Sequence, residues 1–159
     1  MKTTLHCLDC GKPIAKGVYD FSILIYGHPL CLGHQSFITE SGATPRTVDL
    51  YFALKEREIP VALEYFDGCK NISIALPGKL YIEVNRPHHH DSNWALTDLS
   101  RSVYSLQKNI STIAIPDYLL EDPETFRQTV KELTNACRAM IAKSSFWELA
   151  HSLRPVQLQ

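Results

Sequence analysis

Apolar positions along this chain recur at two spacings, and the switches between them mark the elements. Val61–Phe66, Asn71–Leu76 and Leu80–Val84 are short apolar and β-branched runs, separated by Asp67-Gly68 and by Pro77-Gly78, residue pairs that favour hairpin turns. Ser111–Ile115 reads as a fourth strand, stopped by Pro116. Helical spacing appears in three places. Thr44-Pro45 marks a helix start, with Thr44 as N-cap and Pro45 in the first turn, running to about Glu58 and burying Val48 and Phe52. Leu96, Leu99, Val103 and Leu106 form one stripe over residues 93–108, and Phe126, Val130, Leu133, Cys137 and Ile141 form another after Asp122-Pro123. Residues 18–26, rich in aromatic and branched side chains, predict a strand or hairpin arm, and residues 36–43 a short polar connector.

The predicted order is an N-terminal hairpin module followed by α-β-β-β-α-β-α. The fold class is α/β of the α+β kind, a mixed sheet flanked by helices. The boundaries this suggests are a module over 1–36, a main domain over 44–143 and a tail over 144–159, apolar around Phe146 and Trp147.

Composition changes little in this picture. The chain has 159 residues, 45% apolar and 21% charged, enough to bury a core without disulfides. Sixteen basic residues against seventeen acidic ones give a net charge of −1, so no global basic field announces a nucleic-acid binder. No apolar run approaches the ~18 residues that span a bilayer, and the first residues lack a signal-like apolar stretch. The expectation is a cytoplasmic protein with no membrane partner.

The cysteines carry the clearest chemistry. Three of five fall within the first 31 residues, and in a reducing compartment such clusters hold metal more often than disulfides. Cys7-x2-Cys10 and Cys31-x2-His34 are two ligand pairs, each able to aim two side chains from one tight turn, with Gly11 free to take φ > 0. A Cys3His set suits closed, tetrahedral, structural zinc. His28, three residues before Cys31, is an alternative fourth ligand; His34 is preferred because it completes the second pair. Cys69 and Cys137 stand apart.

The stretch from Glu64 to Arg101 adds a resemblance. Residues Asn71–Pro77 and Lys79–Asn85, then His88-His89-His90 and Asp98-x2-Arg101, resemble the PD-(D/E)xK (restriction-endonuclease-like) superfamily, in particular its very-short-patch repair endonuclease branch. The likeness spans about residues 44–141, and some relatives also look to carry an N-terminal ligand pair like residues 7–35. It implies a nuclease fold in which carboxylates on a hairpin hold Mg²⁺. The match is damaged at the acids. Ser73 stands where the first strand carries Asp, Asn85 where the second carries Asp or Lys, and Arg86 replaces Gly. Glu83 is retained and His89 matches the family His, while Asp67 or Glu64 are candidates for a relocated acid. Arg46, Lys70, Arg86 and Arg101 are candidate phosphate contacts.

Three functions follow as expectations. The leading one is an inactive nuclease-fold protein with structural zinc that binds nucleic acid or a protein partner. The second is an active endonuclease using Glu83, Asp67 and a histidine of the 88–90 run, for which alone Mg²⁺ would be needed. The third is a structural or dimerisation module working through the apolar tail.

Overall fold

The structure is a computed structural model that describes residues 5–85 and 107–152, with side chains described up to residue 143. Its elements are α1 (Lys16–Tyr26), α2 (Leu32–Glu40), α3 (Pro45–Lys55), β1 (Ala62–Phe66), β2 (Asn71–Leu76), β3 (Leu80–Asn85), β4 (Ser111–Pro116), a 3-10 turn (Asp117–Leu120) and α4 (Pro123–Ser152). The strands form one mixed sheet in the order β1-β2-β3-β4. Antiparallel pairs join β1, β2 and β3, and β4 runs parallel to β3. The α+β class and mixed sheet expected from the pattern are therefore present. The stripe over residues 93–108 falls mostly outside the described residues.

The N-terminal module differs from expectation. Residues 16–26 form a helix, not a hairpin arm, and residues 36–40 extend α2 where a connector was expected. Local bonding explains α1. Lys16 and Asp20 pair one turn apart, Gly27 closes the helix in the left-handed region (φ 70°), and its N–H donates to the Ile23 carbonyl. Ser22 is fully buried; its hydroxyl donates to the His28 carbonyl at 2.7 Å and accepts from the Leu30 N–H at 2.9 Å. In α2, Cys31 is the N-cap, and Gln35 donates from its buried amide to the Leu30 carbonyl.

Helix α3 is the hub of the core. Thr44 caps it as expected, its Oγ1 accepting from the Thr47 N–H at 3.2 Å. The helix ends at Lys55 rather than Glu58, because Glu58 takes a left-handed conformation (φ 60°) and the Ile59 N–H folds back to the Leu54 carbonyl. Every residue from Leu50 to Leu54 is buried, so α3 is covered on nearly all sides. It packs on β1, β2 and α4, and the same core takes in Leu63, Ile74, Leu76, Leu80, Ile82 and Ile115 from the sheet, with Val130, Leu133 and Cys137 from the stripe expected on α4. Burying each large apolar side chain contributes about 1.5–3 kcal/mol relative to exposure.

One residue of β1 departs from ordinary strand geometry. Glu64 has φ 46° in the middle of β1, outside the usual strand region. Residues two apart on a strand normally share a face. Here Ile74 joins the main core, yet Ile72 packs with Ala75 and Tyr81 in a separate cluster that Tyr65 also meets. The β1–β2 register nevertheless runs unbroken past Glu64, from Ala62 opposite Ala75 to Phe66 opposite Asn71.

Candidate metal centre

Four side chains converge at the N-terminus. The chain from His6 to Pro13 closes on itself, with the Cys7 N–H donating to the Lys12 carbonyl and the Gly11 N–H to the Cys7 carbonyl; Gly11 takes the positive φ (69°) that this turn requires. This loop presents Cys7 and Cys10. The Leu8 N–H donates to the Pro29 carbonyl and ties the loop to the second ligand pair. Cys31 caps α2 and His34 lies in its first turn, so an i, i+3 spacing sets both on one helix face.

The ligand atoms of Cys7, Cys10, Cys31 and His34 all lie within 4.8 Å of one another. His34 Nδ1 is 3.5 Å from Cys7 Sγ and 3.2 Å from Cys31 Sγ, and the Cys10 and Cys31 sulfurs are 4.0 Å apart. Bond lengths of about 2.0–2.3 Å in a tetrahedron imply ligand separations of about 3.5–3.8 Å. The cluster is thus compatible with a zinc site, on the expected residues. His28 is elsewhere: its Nε2 lies 3.4 Å from Asp49 and its ring packs on Phe52. Among the described residues, no other group of three or more His, Cys, Asp or Glu is close enough to share an ion.

Electrostatics prepare the cluster for a cation. Burial works against a thiolate at Cys7, but N–H groups of Cys10, Cys31 and Asp9 donate toward its sulfur and bring its pKa down to about 7. At Cys10 the Lys12 N–H favours the thiolate, but burial and the neighbouring Cys7 and Cys31 outweigh it, so the pKa is raised. A dication would relieve that repulsion.

Behind the cluster stands a carboxylate that the spacing of the ligands did not single out. Asp9 lies between the first two cysteines. Its Oδ2 is 3.5 Å from His34 Nε2 and accepts from the Tyr51 hydroxyl at 2.8 Å, while its Oδ1 is 2.8 Å from Lys55 Nζ. Burial opposes the charge on Asp9, yet Lys55 and Tyr51 more than offset it and hold its carboxyl below the usual range. Burial, and then the same carboxylate, drive the Tyr51 pKa strongly upward. The i, i+4 spacing of Tyr51 and Lys55 was the available signal, but their pairing with Asp9 spans about forty residues.

The hairpin residues occupy a second locality. Glu83 on β3 is bound to Lys70, with Nζ 2.5 Å from Oε1 and only 8% and 19% of the two side chains exposed. Ser73 Oγ accepts from the Val84 N–H at 3.2 Å. Asp67 sits in the β1–β2 turn, where its Oδ1 accepts from the Cys69 and Lys70 N–H groups. Asn85 ends β3, opposite Pro116 on β4. The Glu64 carboxyl is pushed upward by burial and then by the charge of Glu83. Arg46 is paired with Glu121 at 2.8 Å and Asp117 at 3.7 Å. Arg86, His88, His89, His90, Asp98 and Arg101 lie outside the described residues.

No protein-family model, curated protein or solved structure matches this chain, so the chemistry of both localities rests on their own geometry.

Proposed function

We propose that the protein is a non-catalytic binding protein in which one structural zinc ion, held by Cys7, Cys10, Cys31 and His34, fixes the α1–α2 unit on an α+β body. The observation that carries this reading is the mutual approach of four ligand atoms from two separate chain segments. Four protein ligands leave no open position for a substrate or water, which favours a structural role over a catalytic one.

Absence of catalysis is supported by the hairpin. Glu83 already bonds Lys70, and Ser73 is engaged with the backbone, so the retained acid is neutralised rather than free to hold Mg²⁺. A protein partner is favoured over nucleic acid. Two of the four candidate phosphate contacts, Lys70 and Arg46, are committed to carboxylates. By contrast, the α1–α2 unit leaves Leu24 80%, Leu32 65% and Phe21 52% exposed, apolar surface of the kind that marks interaction sites. The nuclease-like resemblance then describes the scaffold, not the activity.

The test is incubation of the full chain with plasmid, single-stranded DNA and RNA in Mg²⁺ or Mn²⁺. The expected outcome is no cleavage above background. Turnover that Glu83→Ala abolishes would overturn the reading. Such turnover would support a rearranged nuclease, which one observation favours: Glu64 lies close enough to Glu83 for their charges to interact.

A further inference from the structure

We infer that Asp9 is the positioning residue of the metal centre, selecting the His34 nitrogen that binds the ion and linking ion binding to docking of the N-terminal unit on α3. This rests on the zinc reading above.

A neutral imidazole carries one proton, and the nitrogen that lacks it offers the lone pair. His34 presents Nδ1 to the sulfurs of Cys7 and Cys31 and Nε2 to the Asp9 carboxylate. A carboxylate facing Nε2 favours the proton there and leaves Nδ1 free for a metal. Carboxylate partners of ligating histidines fix the tautomer and ring orientation in this way.

Asp9 is itself held from α3. Its oxygens accept from Tyr51 and Lys55, which lie one helical turn apart on the same face. Lys55 also lies over the Tyr51 ring, 5.7 Å from its centroid. The charges explain why a cation is needed. Three thiolates around Zn²⁺ carry −1, and Asp9 adds another −1 at short range. Lys55, with only 20% of its side chain exposed, offsets that second charge. The metal, His34, Asp9 and α3 therefore form a continuous chain from the ion to the hub of the core.

The test compares the full-length wild type with Asp9→Asn and Tyr51→Phe. Asp9→Asn keeps the shape and one oxygen acceptor but removes the charge; Tyr51→Phe removes one hydroxyl that orients the carboxylate. Zinc affinity is measured by competition with a chromophoric chelator at fixed pH, and the His34 tautomer by long-range ¹H–¹⁵N correlation in the metal-free and zinc-loaded proteins. Asp9→Asn is expected to weaken zinc binding by about 10–100-fold. It should also shift metal-free His34 from the Nε2-protonated form toward a mixture, which loss of a merely structural contact would not do. Tyr51→Phe should weaken binding by a smaller factor. Should Asp9→Asn fail to fold, Tyr51→Phe decides: zinc affinity and tautomer both unchanged from wild type overturn the inference. A folded Asp9→Asn that binds zinc within twofold of a zinc-binding wild type overturns the role of Asp9 alone. A wild type that binds no zinc overturns the metal site and, with it, this inference.

Discussion

Glu64 concentrates the strain of the sheet at one residue. A non-glycine side chain in the left-handed region costs about 1–2 kcal/mol, and this one also lies near the charge of Glu83. The sign of the resulting pH dependence follows from the raised pKa. Below the usual Glu range the side chain is neutral in both folded and unfolded chains and makes no difference. As pH rises past that range, the unfolded chain ionises more readily than the folded one, so stability falls. Glu64→Gln should therefore stabilise the protein at pH 7 and have no effect near pH 3, as read from urea denaturation at the two values. Equal effects at both would show that its charge is irrelevant. At this scale the clustering of Cys7, Cys10, Cys31 and His34 was legible, because two x2 pairs at that separation can be closed on one point by a short fold. Asp9 was not. An acid inside a ligand pair gains its meaning only from Tyr51 and Lys55, which the fold brings to it across about forty positions. The fate of Glu83 was equally hidden, since nothing in the spacing of residues 70 and 83 announces their ion pair.

Among the elements, β1, β2, β3 and β4 and the start of α3 follow the apolar pattern to within a residue, because alternation and turn chemistry act locally. Helix α1 does not. Its Val18, Tyr19, Phe21, Ile23 and Ile25 favour strand by propensity, and that preference is about 1 kcal/mol or less per residue. The structure overrides it with the Gly27 cap, the Lys16–Asp20 pair and the buried Ser22. Ser22 is the residue on which the path from α1 to the second ligand pair turns. Ser22→Ala would leave the His28 carbonyl and the Leu30 N–H without their partner, at a cost of about 1–3 kcal/mol for such a buried group. The expected result is a lowered thermal midpoint and weaker zinc retention, because Leu30 precedes Cys31 directly. Unchanged stability by calorimetry would place the support of this turn elsewhere. The stripe on α4 runs from Phe126 to Ile141 in or against the core, and the helix continues to Ser152, so the segment expected as a tail from residue 144 begins as helix.

Across the whole molecule, the N-terminal unit and the sheet domain meet at α3. That helix packs its apolar side chains into the core and extends Tyr51 and Lys55 toward Asp9. On the reading proposed above, a zinc ion in the Cys7, Cys10, Cys31 and His34 cluster would anchor the α1–α2 unit and present its apolar surface from a fixed base. The most direct test of the structural zinc is the metal content of the purified full-length chain, by elemental analysis together with thiol alkylation before and after chelation. A structural zinc centre requires about one zinc per chain, protection of Cys7, Cys10 and Cys31 from alkylation until the metal is removed, and loss of the zinc in Cys31→Ser. A protein that carries no metal, even after incubation with zinc, and whose Cys7 and Cys31 alkylate freely in the folded state would contradict it.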